Sequence, residues 1–254
     1  MNVYIDLEAT QFGKEIISFG AVTNTGREFY SLVNPKHLNK VTPFITRLTG
    51  LTKEMFDESV PDICNVIIDF WNWCNLEGDS EIYIFSYGGF DRELIAAEAS
   101  RYPIITVFQE ILNRLNNLED VCSILLFNSP NTHSLVSSYE RVTGVHIKQS
   151  HNALEDAIML KDIHNFLLTI ENVIDLFIVY EENYLLNKYI KRYRRNKGTN
   201  KGLKKFLDSL SDIEIENLNF KDIEPFVGYS NVISRVKEDY KKLTGKFLKG
   251  KIYV

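Results

Sequence analysis

Apolar and polar residues form short runs along the first part of the chain. The runs at 2–7, 15–23 and 27–33 are mainly apolar or alternate with a period of two, and the turn residues 24–26 separate the last two. Such runs are typical of β-strands that bury at least one face. The short connections between them predict an antiparallel sheet of three strands.

Beyond the third run the apolar spacing lengthens to three and four residues, which indicates amphipathic helices interrupted by a buried strand. The strand is predicted at 81–86, because this apolar run lies between Asp79-Ser80 and Gly88-Gly89. Helices are predicted at 43–48, 61–74, 90–99, 134–143, 152–168 and 171–196, and the segments 104–107 and 118–127 continue an alternation of helices and strands.

The order of these elements predicts an α/β fold in residues 1–170. Its mixed sheet would combine three antiparallel strands with parallel strands, flanked by helices. Residues 171–254 are predicted to form a mostly helical extension, in which 203–254 contains two or three short helices broken near Pro225 and Gly228. The sequence therefore predicts two domains that join near residue 170.

Charge also divides the chain, at about residue 186. Residues 186–254 hold seventeen Lys and Arg against eight Asp and Glu, a net charge of +9, whereas residues 1–185 carry −14. An acidic part with clustered carboxylates suits metal ions, and a basic part suits phosphate polymers. The run from Lys188 to Lys205 holds nine basic residues and no acid, so we expect phosphate contacts there rather than a merely solvated face. The expected contacts are Lys188, Lys191, Arg192, Arg194 and Arg195.

The cysteines indicate the cellular compartment. Cys64, Cys74 and Cys122 are odd in number and widely spaced, which argues against a disulfide framework or a structural zinc site and fits a reducing environment. No apolar run reaches the roughly eighteen residues of a membrane span, and no leader precedes the first strand. We therefore predict a cytoplasmic protein without a membrane partner.

Two acids near the end of the first strand are the first candidates for chemistry. Asp6 and Glu8 are two residues apart, so both point to one face of the strand, about 6–7 Å from each other. Burying two like charges together is costly unless a cation lies between them. This arrangement favours a divalent cation, and the alternative is an edge strand with two solvated acids.

A third acid, Asp91, follows the predicted strand at 81–86 and begins the next helix. In open α/β sheets, ligand groups gather beyond the carboxyl ends of the strands, which is where Asp91 would lie. The alternative is an acid that only interacts with the helix dipole.

The segment from His151 to Asp156 adds a base and a fourth acid. Asn152 and Glu155 resemble a capping box, which places the start of the helix after Asn152. His151 would then project from the preceding loop, and Asp156 would face the sheet from the first turns. A solvent-accessible histidine beside a metal-held carboxylate can take a proton from water. A surface histidine and an exposed acid are the alternative.

These segments resemble the DnaQ-like (DEDDh) 3′–5′ exonucleases of the RNase H-like superfamily. The resemblance spans about residues 1–170, and the basic segment beyond residue 186 lies outside it. The matching stretches are Ile5–Thr10, Ser86–Asp91 and His151–Asp156 for the acidic motifs, Ile45–Thr52 for the family's I-T-x-L-T-G-I-T stretch, and Glu15–Val22 for its second strand.

The resemblance implies a metal-dependent 3′–5′ exonuclease that releases 5′-mononucleotides from a single-stranded nucleic acid with a free 3′ end. Two divalent cations, Mg²⁺ or Mn²⁺, would clamp the reacting phosphodiester, and His151 would be the general base. It implies metal ligands at Asp6, Glu8, Asp91 and Asp156. It also implies contacts with the terminal ribose from Ala9 and Thr10, and with the terminal bases from Leu48, Thr49 and Leu51.

Two rival hypotheses remain at the level of sequence. The enzyme could trim RNA or short oligonucleotides instead of acting on DNA, because the chemistry concerns the phosphate common to both. The chain could also be a nucleic-acid-binding or protein-binding module that keeps the fold without catalysis, with its basic tail docking an acidic partner or a second copy. The sequence gives no prediction of the oligomeric state.

Overall fold

The computed structural model describes residues 1–76, 81–195, 197 and 199–247. The predicted boundary at Asp79-Ser80, the predicted helix end at Asn196 and the tail from 248 onward lie outside the described residues.

The chain divides into two compact units. We call Met1–Cys122 with His133–Thr169 the sheet unit, and Ser123–Thr132 with Ile170–Val254 the helical unit. The segment 123–132 thus groups with the helical unit, whereas the sequence places it in the domain 1–170. Independent folding of two domains stays a prediction.

The sheet unit contains five strands in the order β3-β2-β1-β4-β5. The pairs β1–β2 and β2–β3 are antiparallel, and the pairs β1–β4 and β4–β5 are parallel. This arrangement confirms the predicted mixed sheet of three antiparallel and further parallel strands. The strands are β1 (Asn2–Ala9), β2 (Ile16–Thr23), β3 (Glu28–Leu32), β4 (Tyr83–Ser86) and β5 (Leu115–Asn117).

Within the described part of residues 1–169, seven α-helices lie between or after these strands. Several ends follow the caps that the sequence indicates: the Thr42 side chain accepts a bond from the Ile45 N–H at the start of α1, and Gly50 ends α1 with φ of 76°. The helices are α1 (Pro43–Thr49), α2 (Ile63–Asn75), α3 (Phe90–Arg101), α4 (Val107–Arg114), α5 (Glu119–Phe127), α6 (Leu135–Thr143) and α7 (Ala153–Thr169).

The two faces of β1 pack against different helices. Val3, Ile5 and Leu7 point to one face and are buried in a core that includes the apolar stripe of α2. Tyr4 points to the other face, which α7 covers, and its hydroxyl lies 2.8 Å from Nδ1 of the buried His164. The side chains of Asp6 and Glu8 follow Tyr4 on this second face, and unlike the buried Tyr4 they are partly exposed.

The helical unit consists of α8 (Val173–Arg194), α9 (Lys201–Leu207), α10 (Asp212–Glu216), α11 (Phe220–Val227) and α12 (Tyr229–Phe247), with the short segment 123–132. Helix α8 packs against α11 and α12. The buried carboxylate of Glu181 on α8 accepts bonds from the Arg235 guanidinium on α12, with Nη2 3.3 Å from Oε1.

In the C-terminal segment the predicted number of helices was wrong, and the predicted break near Gly228 was confirmed. The region 203–254 was expected to form two or three short helices, but the described part from Lys201 holds four, and α12 alone has nineteen residues. Pro225 lies inside α11, where it has no N–H to donate to the carbonyl four residues earlier, and the helix ends two residues later, at Val227. The break comes at Gly228, whose φ of 83° leaves the helical region.

In the described part of the chain, no single helix is long and apolar enough to cross a membrane. Helices α7 and α8 meet that requirement only when they are taken together, and by length and composition alone.

Candidate active site

Strand β1 positions the first two acids in the middle of the sheet. Asp6 pairs with Gly20 of β2 and Glu8 pairs with Ser18, and the register shifts after Glu8 through a bulge. Both carboxylates point to the face that α7 covers, and both are partly exposed. The alternation of β1 therefore brings the two acids together, as the sequence predicted.

Asp91 reaches the same place from the first turn of α3. Its side chain is 3% exposed, and its Oδ1 accepts a hydrogen bond from the backbone N–H of Leu7 at 3.2 Å. Leu7 lies between Asp6 and Glu8 in β1, so this bond fixes the third carboxylate beside the other two.

Asp156 is brought in by a close approach of α7 to the sheet. A Cβ atom built at Gly20 would lie 2.2 Å from the carbonyl carbon of Ala153, so only glycine permits this contact. The first turn of α7 therefore rests directly on β2 opposite Asp6. Asp156 lies in this turn and is 1% exposed.

His151 lies in the loop before α7, as predicted. The Asn152 side chain caps the helix by accepting bonds from the N–H groups of Leu154 and Glu155, at 3.0 and 3.2 Å. The Glu155 carboxylate accepts from the Ser150 hydroxyl, so the capping box is only half formed. His151 has a left-handed backbone with φ of 51°, and its Nδ1 lies 3.8 Å from Oε1 of Glu8.

Loss of solvation raises the pKa of all four carboxylates, and neighbouring acids of the site raise it further for Asp6, Glu8 and Asp91. Removal from water raises the pKa of Glu8 to about 8, and the charges of Asp156 and Asp91 add to this effect. The pKa of Asp6 is raised well above its ordinary value by loss of solvation and then by Asp91, Glu8 and Asp156. Loss of solvation likewise raises the pKa of Asp91 and of Asp156. The site thus holds more negative charge than its own surroundings compensate.

A divalent cation fits this charge and these donors. One ligand atom each from Glu8, His151 and Asp156 lies within 4.8 Å of the other two. Among the described residues, the buried Oδ1 of Asp156 has no hydrogen-bond partner, whereas its Oδ2 accepts from Nε2 of Gln149 at 2.6 Å. Carboxylate oxygens are the ligands of hard cations, so the residues present fit a metal of this class.

The residues expected around a terminal nucleotide lie near the ends of β1 and α1. The Thr10 N–H already donates to the Glu15 carbonyl at 2.9 Å, and Thr10 Oγ1 accepts from the Glu15 N–H at 3.2 Å. Leu51 is only 6% exposed and packs in a small core. The substrate contacts predicted for Ala9, Thr10, Leu48, Thr49 and Leu51 stay predictions.

The basic residues of α8 separate into two groups. Lys188, Lys191, Arg192 and Arg195 line one groove of the helical unit. Arg194 does not line it, and its guanidinium lies 3.4 Å from the Glu216 carboxylate. The sequence alone could not distinguish Arg194 from the other four basic residues, because all five belong to one run without acids.

The sequence also left some relevant residues unnoticed. Gln149 holds Asp156, and no sequence pattern indicated it. Phe12 and Phe90 are 78% and 51% exposed, one just beyond β1 and the other directly before Asp91. An aromatic residue beside each of the first two acidic motifs was the available signal, since exposed aromatic rings can stack on nucleotide bases.

Comparisons with known proteins agree with this arrangement. Residues 3–164 match the family model described as exonuclease (RNase T). No curated protein sequence matches the chain.

Three of the solved structures to which this chain is similar are described as exonucleases or as a nuclease domain. The first is a 3′-exonuclease studied for 3′-end specific recognition of histone mRNA stem-loop (19% identity, TM-score 0.53, 64% of this chain and 61% of that chain). The second is the nuclease domain of 3′hExo, a DEDDh family member, bound to rAMP (18%, 0.51, 64% and 88%). The third is exonuclease I, from a study of processivity (15%, 0.53, 74% and 45%).

At these identities the structural likeness shows the fold, and the chain spans 61% of the first of these structures and under half of exonuclease I. The family model covers well over half of the chain and includes all five residues of the acidic site. The chain therefore belongs to the exonuclease family, as its motifs predicted.

Proposed function

We propose that the chain is a metal-dependent 3′–5′ exonuclease that releases 5′-mononucleotides from single-stranded nucleic acid. The observation that carries the proposal is the convergence of four carboxylates and one imidazole around β1. The Leu7–Asp91 hydrogen bond, the Gly20–Ala153 contact and the His151–Glu8 approach bring them together from separate elements. Such a set is suited to hydrolysing a phosphodiester at the end of a strand.

The carboxylates would hold the metal. Asp6, Glu8, Asp91 and Asp156 would bind two divalent cations, and Mg²⁺ or Mn²⁺ suits a donor set of carboxylate oxygens. When bound, such cations stabilise the charge on the attacking and leaving oxygens of a phosphodiester.

His151 would act as the general base. Its side chain is 32% exposed, so water can reach the ring and give up a proton to it. The proton comes from the attacking water, whose oxygen bonds to phosphorus. The bond from phosphorus to the 3′ oxygen breaks, which leaves a 3′-hydroxyl on the shortened strand and a 5′-phosphate on the released nucleotide.

A labelled-strand assay tests this proposal. The full chain with Mg²⁺ or Mn²⁺ should convert a 5′-labelled oligonucleotide into a ladder that shortens from the 3′ end, and chelator should stop it. Asp6→Asn preserves the shape of the side chain and should abolish the ladder. A ladder that persists both in chelator and in Asp6→Asn would overturn the proposal.

Whether the substrate is DNA or RNA needs a separate measurement, because the acidic site would act on the phosphate that both contain. A panel of DNA and RNA strands of matched sequence and several lengths, compared by initial rate, should reveal which substrate the enzyme prefers. If every strand is bound but none is shortened, the chain is instead a binding module with the exonuclease fold.

A further inference from the structure

The helical unit contains a groove of about 690 Å³ along one face of α8. Five of its residues lie on α8 and a sixth, Arg195, caps the end of that helix: Tyr184, Asn187, Lys188, Lys191, Arg192 and Arg195. They follow one another at spacings of three and one, which places them on a single side of the helix. Pro130 and Asn131 from the segment 123–132 line the groove as well, and Lys197 adds a further cation.

The charges in this groove are not balanced by acids. In the part of the chain that the structure describes, no ion pair joins Lys191, Arg192, Arg195 or Lys197 to a carboxylate, and all four side chains are exposed. Elsewhere in the same unit Arg194, Lys204 and Arg235 are each paired with an acid.

Within the groove, like charges lie at neighbouring helix positions. Lys188 and Arg192 are four residues apart, as are Lys191 and Arg195, and such pairs repel each other. From Lys188 to Arg195 these cations extend over about 10 Å along the helix, at 1.5 Å per residue. An anion long enough to contact all four would relieve their repulsion. A single small anion would not reach all of them.

The aromatic ring of Tyr184 also lines this groove. The Tyr184 ring is half-buried, and the Arg235 guanidinium carbon lies 4.4 Å from its centroid. Arg235 is itself held by the buried Glu181 carboxylate. The Lys188 ammonium lies 5.9 Å from the same ring. Tyr184 is thus an oriented ring beside a row of cations.

We propose that this groove binds single-stranded nucleic acid, with its cations on the phosphates and Tyr184 stacked on a base. A row of cations with an aromatic platform is the usual chemistry of sequence-tolerant single-strand binding. An acidic protein segment would satisfy the charges but would not use the part of the Tyr184 ring that lines the groove beside Arg235 and Tyr180. The inference rests on the proposed function for the class of ligand, and it adds a second binding site for the strand, on the helical unit.

Binding is best measured without cleavage. Fluorescently labelled oligothymidylate and oligouridylate of about 16 nucleotides, the upper end of common single-strand site sizes, are titrated with the full chain in chelator over a range of salt concentrations. The groove variant combines Lys191→Gln, Arg192→Gln and Arg195→Gln. The matched control combines Lys221→Gln, Lys237→Gln and Lys241→Gln, which remove the same charge from exposed positions outside both the groove and the basic run 188–205.

The groove variant should weaken binding by about tenfold or more, and it should lower the slope of log affinity against log salt by about 2, since each phosphate contact with a single strand contributes about 0.7. The control should change affinity less than about twofold. Tyr184→Leu should weaken binding and Tyr184→Phe should restore it, because phenylalanine keeps the ring.

Three results would overturn the inference: equal losses in the groove variant and the control, an unchanged salt slope, or competition by polyglutamate as strong as that by an unlabelled oligonucleotide of equal charge. Circular dichroism verifies that each variant is folded, and Arg195→Gln alone replaces the triple variant if the latter does not fold.

Hydrolysis of p-nitrophenyl thymidine phosphate, which carries no strand, separates this inference from the proposed function. Hydrolysis of this ester by the wild-type chain therefore reports on the acidic site alone. An inactive wild-type chain that still binds oligonucleotides through the groove would count against the nuclease and not against the groove.

Discussion

Three side chains of the acidic site are restricted, two by a hydrogen bond and one by its backbone. Asp91 is held by the Leu7 N–H and Asp156 by the Gln149 amide. His151 is restricted by its own backbone, since a left-handed conformation in a residue other than glycine costs about 1–3 kcal/mol and tends to occur at functional sites. Restricted side chains of this kind lose little entropy when substrate and cations bind.

The role of His151 can be separated from its place in the fold. His151→Asn should lower the nuclease rate by about 10²- to 10⁴-fold, the usual loss of a general base. Asparagine tolerates a positive φ well, so the thermal unfolding temperature should stay within a few degrees of wild type. His146→Asn is the control, because the His146 side chain is 93% exposed. A His151→Asn enzyme with a wild-type rate would show that another group takes the proton.

Gln149 should influence metal binding without being a ligand. Gln149→Leu removes the hydrogen bond to Asp156 and should weaken Mn²⁺ binding by about 10- to 100-fold, as the loss of outer-shell partners commonly does. Isothermal titration calorimetry measures the affinity. Gln109→Leu, an exposed position on α4, should leave it unchanged.

The carboxylates should make stability depend on pH in the metal-free protein. The pKa of Glu8 is raised from 4.5 in the unfolded state to about 8 in the folded state, so the folded state keeps a proton that the unfolded state has lost. The free energy of unfolding should therefore fall as pH rises from about 4.5 to 8.

Asp6→Asn removes one of the repelling charges that the other carboxylates face. In chelator, this variant should melt at a higher temperature than wild type at pH 8, with little difference near pH 4. Thermal melts of wild type and Asp6→Asn between pH 4 and pH 8 measure this difference. A wild-type stability that rises towards pH 8 would contradict the electrostatic account.

At the scale of elements, the site depends on how closely α7 approaches the sheet. The backbone of Ala153 rests on Gly20 of β2, and this contact sets the depth at which Asp156 and the preceding loop stand over β1. Helix α7 is also fixed at its other end by His164, which contacts Tyr4. The position of Asp156 in the first turn of α7 therefore depends on how both ends of this helix pack against the sheet.

Gly20→Ala should show this dependence. Its Cβ would overlap backbone atoms, so we expect a loss of about 1–3 kcal/mol in the free energy of unfolding, as for other overpacked sites. The nuclease rate should fall as well, because α7 must move away and carry Asp156 with it. Gly89→Ala is the stability control, since a Cβ there meets nothing within 4 Å and the φ is −90°. Equal denaturant midpoints for the two variants would refute the contact.

At the scale of the whole molecule, the sequence predicted what depends on local pattern. The alternation around Asp6 and Glu8 and the cap at Asn152 were readable, because strand and helix periods determine side-chain direction. Strand β5 has only three residues and α11 tolerates Pro225, so neither gave a periodic signal. The contact of Gly20 with Ala153 joins residues far apart in sequence, and no local pattern reports it.

The central claim concerns which bond is broken, and product analysis in ¹⁸O-labelled water tests it most directly. Oligonucleotide is digested with Mg²⁺ or Mn²⁺, and the released molecules are examined by mass spectrometry. The account predicts 5′-mononucleotides that each carry one ¹⁸O on phosphate, with a 3′-hydroxyl on the shortened strand. Release of 3′-mononucleotides, of longer fragments, or of nucleotides without the label would contradict it.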